Sequence, residues 1–340
     1  MVEDQWAPNY KTARERHSIL VAKVEEDIAA GNMIRMTYGE AKAKYGEDLL
    51  LAALGLVEEG DDKFRLIHDA THRVLINNRI RTRDHKPNPI VADISTEMAE
   101  VEATEEVHLG LVWDFESAHR IIQVHPLDWG RQACTLGDLR GKSPEPDAEI
   151  YVNTVGTFGF SSPGSWWGRL AAMVVRGSHY FLGHLLMEWM LLFADDGKIL
   201  MPISKFRRIA PALFAFFGVM GFPIKWAKVT GGTQFQWIGY WNDLDHFRLG
   251  ISERRQRWLV GWINAVLEGL ETIADFDSAL GRLSFVCGAI LYDRPFLALL
   301  FSLAAVTRKK TGGKVDLKRL PPYVKFILMH LGERLSNRPS

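Results

Sequence analysis

The stretch Leu191-Leu192-Phe193-Ala194-Asp195-Asp196-Gly197-Lys198-Ile199-Leu200 sets two adjacent acids between apolar runs, Met187 to Phe193 before and Ile199 to Ile203 after. Short apolar runs bounded by a glycine read as buried strands, which puts the acids at the tip of a strand–turn–strand hairpin. Two carboxylates that close repel each other unless a cation neutralises them. Hard divalent cations take oxygen ligands, and Mg²⁺ needs only one or two protein carboxylates when phosphates complete its shell. Asp-Asp-Gly is also good chemistry for a plain solvated turn.

A second stretch, Leu111-Val112-Trp113-Asp114-Phe115-Glu116-Ser117-Ala118-His119-Arg120, reads as a buried strand ending in an acid, then a turn into a helix. Asp114 precedes Asp195 by 81 residues. An acid ending one central strand, with two more on an adjacent hairpin, can hold two metal ions roughly 3.5–4 Å apart, the arrangement of phosphoryl transfer. Asp114 equally suits a helix N-cap.

With these residues in view, the chain resembles the reverse transcriptases of retrotransposons, of DIRS-like elements and of pararetroviruses. Phe193-Ala194-Asp195-Asp196 is similar to their aromatic-x-Asp-Asp box, and Trp113-Asp114-Phe115 with Ile122-Gln123-Val124-His125-Pro126 to their motif A. Thr157-Phe158-Gly159-Phe160-Ser161-Ser162-Pro163-Gly164 resembles motif B, and Phe235-Gln236-Trp237-Ile238-Gly239-Tyr240 the primer-grip hairpin. The four boxes stand in the family's order, and the likeness covers about residues 35–250.

The resemblance implies an α+β fold, the right hand of polymerases, with fingers, a palm of antiparallel sheet and helices, and a helical thumb. Residues 1–110 would be N-terminal helices and fingers, 111–250 the palm with fingers elements interleaved near 127–165, and 251–340 the thumb and the start of a connection segment. It also implies an RNA-directed DNA polymerase, a nucleotidyltransferase that extends a primer 3′-hydroxyl with dNTPs on an RNA or DNA template. Asp114, Asp195 and Asp196 would hold two Mg²⁺ ions, or Mn²⁺ in their place. The main-chain carbonyl of Phe115 would be a further ligand.

The family's other functional positions carry over one by one. Arg65 and Lys63, on a fingers strand over Lys63–Asp69, would contact the incoming nucleotide's phosphates; a guanidinium fork suits that task. His119 stands where the family has Tyr or Phe under the sugar, a departure that loosens exclusion of a 2′-hydroxyl. Phe158 and Gly159 would face the template base pair, glycine because it permits close backbone approach. Lys228, with Lys225 second, would protonate departing pyrophosphate. Trp237, Gly239, Tyr240 and Trp241 would form the primer grip.

Composition fits a globular protein: 340 residues, 47% hydrophobic, formal net charge zero. From Lys63 to Lys86 seven Lys and Arg stand against two Asp, a local net of +5 and a candidate phosphate-facing surface that includes Arg79, Arg81 and Arg83. Asp93 to Glu106 then reads as an acidic, solvated helix. Asn77 and Asn78 read as a turn between two fingers strands, and Trp166-Trp167 as core. His68 and His72 read as structural histidines. Residues 251–340 read as helices, broken at Asp293-Arg294-Pro295.

Cys134 and Cys287, in apolar surroundings, fit reduced thiols, and no run is long enough for a membrane span. An intracellular protein, cytoplasmic or nuclear, follows, with the polar start at Met1 to Arg16 lacking a signal-peptide core. No acid constellation of a ribonuclease H and no integrase-like region is present in the sequence. The alternative reading is a catalytically inactive retroelement-derived fragment that binds nucleic acid.

Overall fold

The computed structural model describes residues 5–60, 63–82, 84, 87–137, 139, 142–183, 190–269, 273–311 and 320–336. Arg83 and Lys86 of the basic block lie outside the described residues, as does the start of the apolar run from Met187. In chain order the helices are α1 (Lys11–Glu15), α2 (His17–Ala29), α3 (Tyr38–Tyr45), α4 (Ile76–Arg79), α5 (Val91–Glu102), α6 (Ser161–Leu182), α7 (Ile203–Val219), α8 (Glu253–Leu267), α9 (Ile273–Val286), α10 (Phe296–Thr311) and α11 (Pro322–Ser336). The strands are β1 (Met33–Thr37), β2 (Ala53–Gly60), β3 (Lys63–Asp69), β4 (His108–Asp114), β5 (Ala133–Cys134), β6 (Glu149–Asn153), β7 (Met190–Phe193), β8 (Asp196–Pro202), β9 (Thr230–Gly232), β10 (Gln234–Trp237), β11 (Tyr240–Asp243) and β12 (Arg248–Ile251). The fold class is α+β.

These elements form two compact units that interleave along the chain. The first holds residues 1–88, 114–183 and 212–225, the second 89–113, 184–211 and 226–340. In the first unit, β2 and β3 make an antiparallel ribbon, and β1, β6 and β5 a small sheet in that order. Leu54, Leu56 and Leu66 of the ribbon pack with Leu20 and Val24 of α2 and with Met33, Cys134 and Tyr151 of the small sheet. Thr37 starts α3 with a capping box: its hydroxyl accepts the Glu40 N–H at 3.2 Å, and the Glu40 carboxylate accepts the Thr37 N–H at 2.8 Å.

Helix α6 buries one stripe, Pro163, Trp167, Ala171, Val174, Ser178 and Leu182, at the three-to-four spacing of a single helical face. Only one of the two adjacent tryptophans is core: Trp167 is 2% exposed and Trp166 is 55% exposed. Neighbours in sequence point about 100° apart on a helix, so both cannot face inward. Asn77 and Asn78 are also placed differently from the sequence reading. They lie in α4 rather than between two strands.

The second unit is built on the four-stranded sheet β7-β8-β4-β9 and the meander β10-β11-β12. Val112 and Leu200 of the first, and Phe235, Trp237 and Tyr240 of the second, share one core with α5 and with α8 to α11. The acidic helix α5 is not solvated all round: Ile94, Glu97, Met98 and Val101 are buried, and only the remaining acids face water. Both cysteines are free and buried. Among the described residues no helix is long and apolar enough to cross a membrane.

His68 is fully buried in β3, with its Nδ1 3.5 Å from the Asn153 amide. Burial, helped by the Arg120 charge, pushes the imidazole from its ordinary 6.5 down to about 3. Below pH ~6.5 the unfolded chain therefore takes up a proton that the folded chain refuses until about 3, so acid lowers stability across that window. Urea midpoints between pH 7 and 4.5 are expected to fall less steeply for His68→Gln than for the native chain. Parallel slopes would contradict this.

Candidate active site

Strand β4 carries Trp113 and ends at Asp114, and its neighbour in the sheet, β8, begins at Asp196. At the other end of these strands the Ile203 N–H donates to the Val107 carbonyl at 2.9 Å, so the two run antiparallel. Glycine at 197 is required by that pairing: a Cβ there would lie 2.1 Å from the Trp113 indole. Gly197 follows Asp196 directly, and Trp113 precedes Asp114 directly. Hairpin β7–β8 turns through two residues, Ala194 and Asp195, between the paired Phe193 and Asp196. Ala194 has φ 51°, a left-handed conformation that disfavours a side chain and concentrates at functional turns.

Asp114 is buried, 6% exposed, whereas Asp195 and Asp196 are half-buried. The Asp196 carbonyl accepts the Trp237 indole N–H at 3.2 Å. Trp237 belongs to the β10–β11 hairpin, whose turn residues Ile238 and Gly239 both have positive φ, 42° and 86°. Paired left-handed residues match the twist of a two-residue hairpin. Gly239 is also pressed against Arg255, whose guanidinium occupies the space a Cβ would need. Trp237 and Tyr240 are buried; Tyr240 stacks on Phe285 at 4.6 Å and donates to its carbonyl at 2.9 Å. The hairpin's outward residues are Gln234 and Gln236.

Within the first unit three of the sequence-predicted residues come together. The Arg65 guanidinium lies 4.6 Å over the Phe158 ring, and the His119 imidazole lies 4.7 Å from that ring's centre on a short 3-10 turn, Ala118–Ile121. Arg65 also pairs with Glu59 at 2.5 Å, and Lys63 opens the same strand, exposed. Phe115 is core: its ring meets Phe217 at 5.1 Å, Trp167 at 5.7 Å and Phe222 at 5.8 Å. The Asp114 carbonyl accepts the Lys225 N–H at 2.9 Å. Lys228 stands exposed on another 3-10 turn, Trp226–Lys228, just before β9 pairs with β4.

Two features escaped the sequence reading. Asn77 clamps the loop before α6: its amide donates to the Gly159 carbonyl at 2.7 Å, and its oxygen accepts the Ser161 N–H at 2.9 Å. Lys198 and Glu97 form a fully buried ion pair, both side chains 0% exposed. Burial disfavours both charges, raising Glu97 to about 7 and lowering Lys198, each partly offset by the partner's opposite charge. The spacing of Ile94, Met98 and Val101 around Glu97, and the apolar run around Lys198, were the available signals.

Among the described residues no group of three or more His, Cys, Asp or Glu side chains could hold a metal ion by itself. One or two carboxylates per ion, with the remaining positions filled by phosphate oxygens and water, is the coordination Mg²⁺ ordinarily accepts.

Comparison with solved structures decides the fold. The foamy viral protease-reverse transcriptase dRH in complex with ds DNA superposes with a TM-score of 0.69 at 12% identity, over 100% of this chain and 51% of that one. The foamy viral protease-reverse transcriptase in complex with RNA/DNA hybrid gives 0.68 at 11%, over 99% of this chain and 39% of that one. The chain has the right-hand polymerase fold of reverse transcriptases. It spans about half the length of the first of those proteins and less of the second. No family model matches the sequence, and no curated protein matches it.

The loop before α6 offers a direct check on the geometry. Gly159 has φ 104°, and a Cβ there would sit 1.8 Å from the His68 carbonyl oxygen. Gly159→Ala is expected to destabilise by at least about 2 kcal/mol, through backbone strain and a clash with main chain that cannot move aside. Equal urea midpoints for the two proteins would show that the loop is not held against β3.

Proposed function

We propose that this chain is the polymerase core of an RNA-directed DNA polymerase of the retrotransposon kind, with fingers, palm and thumb in the order 1–110, 111–250 and 251–340. One observation carries the reading: Asp114 ends a strand whose sheet neighbour begins at Asp196, on the hairpin that holds Asp195. The polymerase fold, and the nucleic acid bound by both foamy viral proteins, support it.

On this reading Asp114, Asp195 and Asp196 would hold Mg²⁺, or Mn²⁺, for which their hard oxygen donors are suited. Such ions, when bound, promote ionisation of the primer hydroxyl and neutralise charge on the leaving pyrophosphate. The chain's own residues position the reactants. Arg65 and Lys63 hold the triphosphate, with the Arg65 plane fixed by the Phe158 ring beneath it. Phe158 and Gly159 meet the nascent base pair, and His119 beside Phe158 borders the sugar. The primer 3′-hydroxyl gives up its proton to solvent as its oxygen bonds to the α-phosphorus and the bond from that phosphorus to pyrophosphate breaks, and Lys228 supplies a proton to the departing group, help ordinarily worth about 10²–10⁴ in rate. The β10–β11 hairpin supports the primer end through Gly239 and its buried Trp237 and Tyr240. Partners are a primed RNA or DNA template and dNTPs.

Primer extension on RNA and DNA templates tests this. The native chain is expected to add dNTPs in Mg²⁺, and Asp114→Asn and Asp195→Asn each to abolish addition while keeping salt-sensitive primer–template binding. Binding without any addition by the native chain would leave the inactive fragment as the correct reading. Arg65→Ala should raise the KM for dNTP more than it weakens duplex binding, and an unchanged KM would remove Arg65 from the nucleotide site.

Sugar choice gives a separate test. Imidazole is smaller than a phenyl ring and can hydrogen-bond, so the native chain should incorporate ribonucleotides measurably. His119→Phe should improve discrimination by about 10–200-fold without abolishing DNA synthesis. Identical ratios in single-nucleotide extension would remove His119 as the gate.

A further inference from the structure

The second unit buries an ion pair directly behind the acidic hairpin. Lys198 follows Asp196 by two residues on β8, and its ammonium meets the Glu97 carboxylate of α5 with neither side chain exposed. The same ammonium lies 4.9 Å over the Trp237 ring. Trp237 in turn donates its indole N–H to the Asp196 carbonyl at 3.2 Å. Helix α5, strand β8 and the β10–β11 hairpin thus meet through three directional contacts, all within one unit.

As a source of stability this arrangement is poor. Taking two charges out of water costs several kcal/mol per ion, and apolar residues of similar volume often serve the fold as well or better. Glu97 Oε1 adds to that cost, having no hydrogen-bond partner among the described residues. What the pair supplies is direction. Apolar side chains slide past one another at small cost, whereas an ammonium held between a carboxylate and an aromatic face has one favourable place. That place fixes the indole, and the indole fixes the backbone of Asp196.

We propose that Glu97, Lys198 and Trp237 are positioning residues that lock the β10–β11 hairpin to the β7–β8 hairpin, so that whatever the two hairpins present keeps one spacing. The consequence for catalysis rests on the polymerase reading, in which one hairpin bears the metal-binding acids and the other supports the primer end. Under that reading the lock sets the distance from the primer 3′-oxygen to the acids.

The test compares the native chain with Glu97→Met/Lys198→Met, which replaces the ion pair by apolar side chains, and with Trp237→Phe, which keeps a ring and deletes the N–H. Amide hydrogen exchange over residues 190–200 and 234–243 reads the lock itself. Both variants are expected to exchange about 10-fold faster there, with α8 to α11 unchanged and, for the double variant, a urea midpoint at or above the native one. Single-nucleotide extension reads the consequence: kcat is expected to fall about 10-fold or more, with the KM for dNTP within about twofold.

Unchanged hairpin exchange in both variants overturns the lock, and faster exchange with native kcat overturns its role in catalysis. If the double variant does not fold, Trp237→Phe decides alone. Absence of extension by the native chain would overturn the polymerase reading and with it the catalytic role, while the exchange comparison still decides the lock.

Discussion

The packing of Trp113 against Gly197 is the contact on which the approach of β4 and β8 depends. The indole occupies the space a side chain at 197 would need, so β4 and β8 can approach only with glycine at that point. Because the strands are antiparallel, this contact sets which residue follows on each: Asp114 on one and Asp196, one step back, on the other. A register slip of one residue would turn every side chain of β8 to the opposite face. An apolar contact therefore sets the placement of the chain's most polar feature.

Around that contact the second unit supports the hairpin from behind with groups that are costly to bury. Lys198, Glu97 and the Trp237 N–H are polar atoms buried among apolar side chains. The turn above them places Ala194 in a left-handed conformation, another unfavourable local choice. Strain and buried charge in one small region mark a site where geometry outweighs stability. The first unit shows the same economy in the loop before α6. There Gly159 lies against the His68 carbonyl, Asn77 clamps the loop, and Arg65 and His119 both meet the Phe158 ring.

Much of this was legible in the sequence because it rested on local patterns. The Asp195-Asp196 hairpin, the Phe235–Tyr240 hairpin, the Lys63–Asp69 strand and the helices after residue 251 each carry periodicity or turn chemistry within a few residues. Most of the misreadings share one cause, that partners distant in sequence decided them. Glu97 reads as one acid among six, yet Ile94, Met98 and Val101 carry its face into the core, where Lys198 meets it. Asn77 has ordinary turn chemistry, and only Gly159 and Ser161, more than 80 residues on, make it a clamp. That Phe158 meets both Arg65 and His119 was not visible from any of the three alone. Composition concealed the Trp166–Trp167 split as well, since only the helix phase tells the buried ring from the exposed one.

The central proposal is that Asp114 and the Asp195-Asp196 pair would act as one metal-binding centre completed by the nucleotide. The most direct measurement is Mn²⁺ binding followed by electron paramagnetic resonance, on the protein with a dideoxy-terminated primer–template, with and without the next dNTP. The account predicts weak Mn²⁺ binding without nucleotide, a strong increase on adding dNTP, and loss of that increase in both Asp114→Asn and Asp195→Asn. Nucleotide-dependent Mn²⁺ binding that is the same in the native chain and both variants would contradict it.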